Sequence, residues 1–504
     1  MYHIILICQY NDRIIKTCVK RGTRLLSTPT DMHRLDSILT EMLFWLMALI
    51  AIGSTWLFGA WETWWFWPFM TLIFLATAGF SLRLALCSVL GTRHLNLSTI
   101  AVTSLIAWIP LLIYSLIRSL QAEVAMDAER SILLQLSPVL LGLIVATGLT
   151  EVRQRLLIIL IMLNFAWLGV YGISNHYLTG NAWVLWIPSF PQYQQDYHRA
   201  TGTYFCPDHF SGLMEIALCL AVSFLMSRYA NRWQRFMALG LCLIALLGIV
   251  LSRSRGGGIT AGIVLVAALL LCTLSWPLKA KWFVRGAGLV GLMLGIAAFI
   301  MFGGHYVKRF KDYPWGKLQH SERYQMSAAA LRAWQTAPWL GVGPGMHPNL
   351  WPHFAPSADG DRSTRRWPTF PNNNYHSFEA HNDWAQFLEE YGLTGLGLLL
   401  LALGVTLWII LRRWKRWAMI QSLSALSPSS CEWLLPGILL VALAMGIHSC
   451  GDFNLQIPGT TWTIGILTGL AIAIARNTPP FKKGLSIRKP TDIPEIPSSN
   501  EHVP

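Results

Sequence analysis

The chain has 504 residues, 54% of them hydrophobic and only 13% charged, whereas a soluble domain carries roughly 25% charged residues; a water-soluble globular fold is excluded and lipid is the expected solvent. The net charge of +14 is the usual mark of a nucleic-acid partner, so the placement of the basic residues has to decide what it means. The nine Cys show no CxxC and no metal-ligand spacing, and Cys219, Cys242 and Cys272 lie inside apolar runs as small core residues, so neither a metal site nor a cofactor is expected.

In chain order, residues 1–41 form a basic segment without an apolar core leading to a small-residue cleavage site. The first spanning helix is therefore expected to act as the insertion signal. Apolar runs long enough to cross a bilayer fall near 42–61, 64–82, 99–117, 131–149, 156–174, 208–227, 234–252, 256–275 and 286–302, all within 42–302. A long polar segment occupies 303–394, three more runs lie near 395–411, 433–450 and 459–475, and a Pro- and Ser-containing tail at 476–504 is expected to be disordered. The fold class expected is an all-α membrane protein with about twelve transmembrane helices.

The connecting segments alternate in charge. One side receives the basic residues from Arg13 to Arg34, then Arg83 and Arg93, Arg153 and Arg155, Arg228 to Arg235, Lys279 to Arg285, Arg412 to Arg416, and the tail from Arg476 onward. Cytoplasmic segments are enriched in Lys and Arg, so both termini are expected to be cytoplasmic. The basic excess is then a topology signal, and the reason to propose a nucleic-acid ligand disappears.

The other, outward side carries the polar motifs. Before the sixth run stands Arg199-Ala-Thr201-Gly202-Thr203-Tyr-Phe-Cys206-Pro207-Asp208-His209, followed by Glu215 about two turns into the membrane. A carboxylate at that depth marks either a functional group or a watery cavity near the interface. Between two runs lies Ser252-Arg253-Ser254-Arg255-Gly256-Gly257-Gly258. Its arginines and the free N–H groups of the following helix make an anion site, although a tight turn with arginines reaching lipid headgroups fits as well. In the long segment, Ser321 to Thr336 is expected to form an amphipathic helix with Tyr324, Ala328, Leu331 and Trp334 on one face and Arg323 near its start. Gly341-Val-Gly343-Pro-Gly345 turns the chain, Asp359-Gly-Asp361 reads as a turn, and His376 and His381 lack the i, i+4 spacing of a zinc helix. Cys206 and the late outward Cys450 stand where a disulfide could form.

His381-Asn382, nine residues, and then Gly392-Leu-Thr-Gly395 resembles the closing motif of the large periplasmic loop in the O-antigen ligase and polymerase superfamily. Arg199 with Thr201-Gly202-Thr203, the Ser254-Arg255-Gly256-Gly257 turn, Pro338-Trp-Leu-Gly341-Val-Gly343, and the late turn from His448 through Asp452 to Pro458 match in the family's order. The resemblance covers about residues 190–460. It implies a bacterial inner-membrane glycosyltransferase of GT-C-like fold, working without a metal, whose large periplasmic loop holds short helices. Its donor would be a glycan on undecaprenyl pyrophosphate, and its acceptor a hydroxyl of lipid A-core or another glycan, as in lipopolysaccharide biosynthesis. His381 takes the place of the family's essential histidine, and Arg199 and Arg255 that of its pyrophosphate-binding arginines. Asp208-His209 stands where many members have Pro-Asn.

The chemistry suits these side chains. A pyrophosphate leaving group needs charge neutralisation, which Arg199, Arg253, Arg255 and Arg323 can supply. A histidine can take the acceptor's proton at neutral pH, so His381 is the expected base, with Glu379 or Asp383 as its orienting partner and inversion at the sugar as the outcome. Without the family motif, His381 reads as a ring stacked among Trp384 and Tyr375. A polymerase joining repeat units is the alternative within the class. A transporter of the same lipid is the alternative outside it, but inverted repeats and midplane charges are not evident in the sequence.

Overall fold

The computed structural model describes residues 29–90, 99–188, 199–227, 230–275, 304, 308, 311, 321–355, 377–421 and 431–477. Within them run α1 (Pro29–Trp56), α2 (Thr63–Leu90), α3 (Thr99–Leu120), α4 (Ala125–Gly148), α5 (Glu151–Thr179), α6 (Pro207–Leu225), α7 (Arg232–Ser252) and α8 (Arg255–Ser275). They continue with α9 (Glu322–Trp334), α10 (His347–Phe354), α11 (Asp383–Gln421), α12 (Leu434–His448) and α13 (Pro458–Asn477). Two-residue strands β1 (Trp183–Val184) and β2 (Ile187–Pro188) pair antiparallel. Among the described residues, nine helices are long and apolar enough to cross a membrane, and Arg255–Leu271 and α12 are shorter apolar helices. Each expected span except that near 286–302 coincides with one of them. That span, His305, His320, His376, the Asp359-Gly-Asp361 turn and the basic stretches at 1–28 and beyond 477 lie outside the described residues. The chain is an all-α, multi-pass membrane protein.

The burial pattern sorts the helices. Trp45, Leu49, Trp167, Leu243 and Leu401 are exposed, which in water would be a large apolar liability and in a bilayer is contact with hydrocarbon. Helix α6 differs, because every residue from Pro207 to Ala221 is buried and it is packed by α7, α12, α8 and α5. Its Asp208, His209, Ser211 and Glu215 therefore face protein rather than lipid. Helix α13 is laid closely on α4; Gly142, Gly465 and Gly469 lie at the crossing, and small residues of this kind let membrane helices approach.

Two expectations are corrected. The amphipathic helix forms as α9, but its buried face is Met326, Ala329, Ala330 and Ala333, whereas Tyr324 and Leu331 are exposed. The alanines win because they fit close against Ala380, Ala385 and Trp351, and the larger side chains turn outward. Helix α11 starts at Asp383, well before the apolar run near 395, because the Asn382 Oδ1 accepts from the Ala385 N–H at 3.1 Å and caps it.

Helix α11 then breaks at Gly392, whose φ of 64° and ψ of −171° belong to a region open essentially only to glycine. At this break two motifs meet. Val342 and Gly343 N–H groups donate to the carbonyls of Glu389 and Glu390 at 2.8 and 3.1 Å, and Leu393 and Thr394 donate to Pro338 and Trp339 at 2.9 and 3.1 Å. A Cβ on Gly392 would lie 2.5 Å from the Gly341 nitrogen, and one on Gly341 would strike Glu390. Gly392→Ala is accordingly expected to destabilise the fold by about 2 kcal/mol or more, read as a lower thermal-unfolding midpoint in detergent; Gly397→Ala, where the added carbon meets nothing within 4 Å, serves as the matched control with little change.

Candidate active site at one end of the bundle

The N-termini of α6, α8, α11 and α13 meet the C-termini of α7 and α12 at one end of the bundle, and the polar motifs converge there. Asp208, in the first turn of α6, accepts from Arg199 Nη2 at 2.7 Å on one carboxylate oxygen and from Arg323 Nη2 at 2.5 Å on the other. Arg199 Nε also donates to the Ser252 carbonyl at 2.9 Å, and Arg323 Nη1 to the Gly451 carbonyl at 2.6 Å. One carboxylate thus ties two guanidiniums from distant segments, and each guanidinium pins a turn.

Arg253 closes α7 in the left-handed conformation at φ 51°, and Arg255 opens α8. Both are half-buried. Ser254 Oγ accepts from the Gly257 N–H at 3.2 Å, an N-cap that turns the start of α8 toward this end. Gly256 and Gly257 allow the helix to sit close. A Cβ on Gly256 would come within 3.2 Å of the His448 ring, and one on Gly257 within 3.0 Å of Glu215 Oε1 and into Ser211 Oγ.

His381 lies just outside the α11 cap with a left-handed φ of 49°. Its Nδ1 donates to Asp452 Oδ1 at 3.2 Å. A carboxylate can only accept, so Nδ1 carries the proton of this hydrogen bond and Nε2 is the ring nitrogen it leaves unused. The histidine side chain is 23% exposed while Asp452 is fully buried, so the free nitrogen belongs to the only open member of the pair. Phe453 packs edge-on to both His381 and His209, at 4.6 and 4.4 Å between ring centres. His209 Nε2 lies 3.8 Å from Asp452 Oδ1. Burial alone would raise the Asp452 carboxyl, but His209, Arg323 and the His381 hydrogen bond hold it well below the usual carboxylate range.

The two carboxylates expected to orient His381 are engaged elsewhere. Asp383 Oδ2 accepts from Ser449 Oγ at 2.7 Å and the Leu455 N–H at 3.1 Å, and its own N–H donates to the Ser449 carbonyl at 2.9 Å. It staples the turn carrying Asp452 to the start of α11. Glu379 is drawn away by Gln386, whose Nε2 donates to it at 2.5 Å and to Glu390 at 3.1 Å. This second network continues through His347 Nδ1, 2.7 Å from Glu389, and Nε2, 3.4 Å from Ser377 Oγ. Trp384, expected as a stacking neighbour, donates its indole N–H to the Gly446 carbonyl, and Tyr375 lies outside the described residues. Gly395 packs on Tyr391 and Tyr114, and Cys206 and Cys450 are both free thiols.

His448, at the end of α12, is fully enclosed, with Nδ1 2.7 Å from Glu215 Oε1 and Nε2 3.7 Å from Asp452 Oδ2. Sequence reasoning placed Asp452 and His448 in a family motif but did not pair them with His381 and Glu215. The i, i+4 spacing of His448 and Asp452 was the available signal. Asp208 as the bridge between arginines was not anticipated either. Among the described residues, no group of three or more His, Cys, Asp or Glu side chains is disposed to hold a metal ion.

Burial, with Glu390 nearby, pushes the Glu379 carboxyl up to about 8, against an ordinary 4.5. Below 4.5 the acid is protonated folded or unfolded and costs nothing. As pH rises toward 8 the unfolded chain releases the proton more readily, so stability falls. Glu379→Gln, which keeps an acceptor for Gln386, is expected to raise the unfolding midpoint at pH 8.5 relative to the parent protein, with the difference vanishing near pH 4.5.

Residues 240–400 match the model of the family described as O-antigen ligase, while no curated protein matches the chain. The matched stretch runs from within α7 into α11 and encloses the arginine turn, Arg323, the Gly341 and Gly392 contact, and His381. Over this stretch, about a third of its length, the chain is similar to the O-antigen ligase family.

Proposed function

We propose that the protein is a glycosyltransferase of O-antigen ligase type, which moves a glycan from undecaprenyl pyrophosphate onto a hydroxyl of lipid A-core or another glycan at the periplasmic face of a bacterial inner membrane, with both termini cytoplasmic. The observation that carries this reading is the pairing of partly exposed His381 with buried Asp452, beside the arginines gathered around Asp208 and the α8 N-terminus. It is the arrangement that a transfer to a hydroxyl needs, a base on one side and positive charge on the other.

In this mechanism the donor's pyrophosphate lies against Arg253, Arg255 and the N-terminus of α8, where the helix dipole favours an anion. Arg199 and Arg323 supply further positive charge while Asp208 holds them in place. The acceptor oxygen attacks the anomeric carbon from the face opposite the pyrophosphate. As the new C–O bond forms, the bond to the leaving phosphate oxygen breaks and its electron pair leaves with the pyrophosphate. The hydroxyl proton passes to His381 Nε2, and the resulting imidazolium is paired with Asp452. Attack from the opposite face inverts the anomeric centre. No metal is invoked, because the leaving group is stable as an anion and the guanidiniums neutralise it.

In membranes supplied with a defined lipid-linked donor, His381→Ala is expected to lower transfer by roughly 10² or more with normal insertion. Arg255→Ala should raise the donor KM and lower turnover together. Full activity in both variants would reject the site. Envelope glycans of a deletion strain test the acceptor class: loss of all capping marks a ligase, and single-repeat capping a polymerase.

A further inference from the structure

Beneath Asp452 lies a second acid–base pair that the transfer chemistry above does not use. Glu215 is held two turns inside α6, His448 ends α12, and both are fully enclosed. Glu215 Oε1 accepts from His448 Nδ1 at 2.7 Å and from Ser211 Oγ at 3.3 Å. On the far side of the ring, His448 Nε2 lies 3.7 Å from Asp452 Oδ2, and neither atom has a hydrogen-bond partner among the described residues. Two carboxylates therefore face the two nitrogens of one ring, an arrangement in which an imidazolium, with two N–H donors, serves both. A neutral ring would turn its lone pair toward Asp452.

We infer that Glu215 and His448 are positioning residues for the proposed transfer, acting through Asp452: Glu215 holds His448 as the cation that faces Asp452 Oδ2, which leaves Oδ1 to His381. This rests on the glycosyl-transfer reading. Three placements support it. The pair sits on the two helices that flank the site, α6 and α12, which pack directly on each other. Gly256 and Gly257 bring the turn that precedes α8 against the same two side chains, so the pair is enclosed at the edge of the site. An ion pair buried this deeply among apolar helices is costly unless both members are satisfied, and Asp452 is the partner in reach of the remaining ring nitrogen.

The groups facing His448 are Glu215, Asp208 and His209 from α6, Asp452 from the following turn, and Asp383 from α11. Helix α8 contributes Gly256 against the ring and Arg255 one residue earlier. In E215Q the ring loses the charge that favours its cationic form, and Asp452 loses a positive neighbour. The surroundings of His381 become more negative, a proton is held there more firmly, and a higher pH is needed to free Nε2.

The test uses the full-length protein in vesicles with a defined lipid-linked donor and acceptor, and follows kcat and KM across pH. For E215Q the expected result is a kcat about tenfold lower at neutral pH, less than the roughly 10² or more expected from removing a base. The acid limb of the profile should move up by about half a pH unit, with a donor KM little changed. E215D, which keeps the charge, should restore the midpoint. Where E215Q does not accumulate in the membrane, H448Q carries the same expectation. A parental rate and profile in a folded E215Q or H448Q, or a loss confined to donor KM, overturns the inference. H381A distinguishes the two levels: an active H381A sinks the transfer reading, whereas an inactive H381A beside an unaltered E215Q sinks only the positioning role.

Discussion

A carboxylate buried at the end of an apolar bundle has to be compensated, and Asp452 is buried completely. Its compensation is drawn from four directions: His381 from the start of α11, His209 from α6, His448 from α12, and the positive charge of Arg323 from α9. Leaving such a group unpaired is strongly destabilising. The elements that bring these partners are thus held to one arrangement, and the same arrangement presents the open nitrogen of His381 beside the arginines. Asp208 repeats the logic, a second buried anion gathering Arg199 and Arg323.

Hydropathy made most of the fold legible, because lipid rewards long apolar runs and each described span lies where such a run does. The exceptions have local causes. The first turns of α11 are polar and carry no hydropathy signal; they are helical because Asn382 caps them and Gln386, Glu389 and Glu390 are satisfied across the loop. On α9, side-chain size decided the buried face where hydrophobicity alone favoured the opposite one. Tyr324 and Leu331 are left exposed, and the Ala330 contact with Ala380 and Ala385 demands a smooth surface inside.

At the site, the residue types were legible and the partnerships were not. Glu379 is two residues from His381 and looked like its neighbour, yet Gln386 turns it toward Glu390. Asp452, 71 residues further along, is the group that reaches the ring. Contacts across such a separation are set by tertiary packing, which no local pattern encodes. The motif glycines were closer to readable. Gly256, Gly257, Gly341 and Gly392 each mark a place where a side chain would strike another element, so the ordered motifs trace the close contacts that assemble this end of the bundle.

The Asp383 staple has a consequence for how the molecule is built. The proposed base lies at the start of α11, but the carboxylate hydrogen-bonded to it and the turn that Asp383 grips are on the segment between α12 and α13. During synthesis His381 emerges long before Asp452, and the imidazole waits without its partner until α12 has been threaded into the bilayer and the following turn has folded back over it. For the proposed transfer, the complete site is then a late product of synthesis: a nascent chain halted after α11 would carry the arginines and the histidine without Asp452.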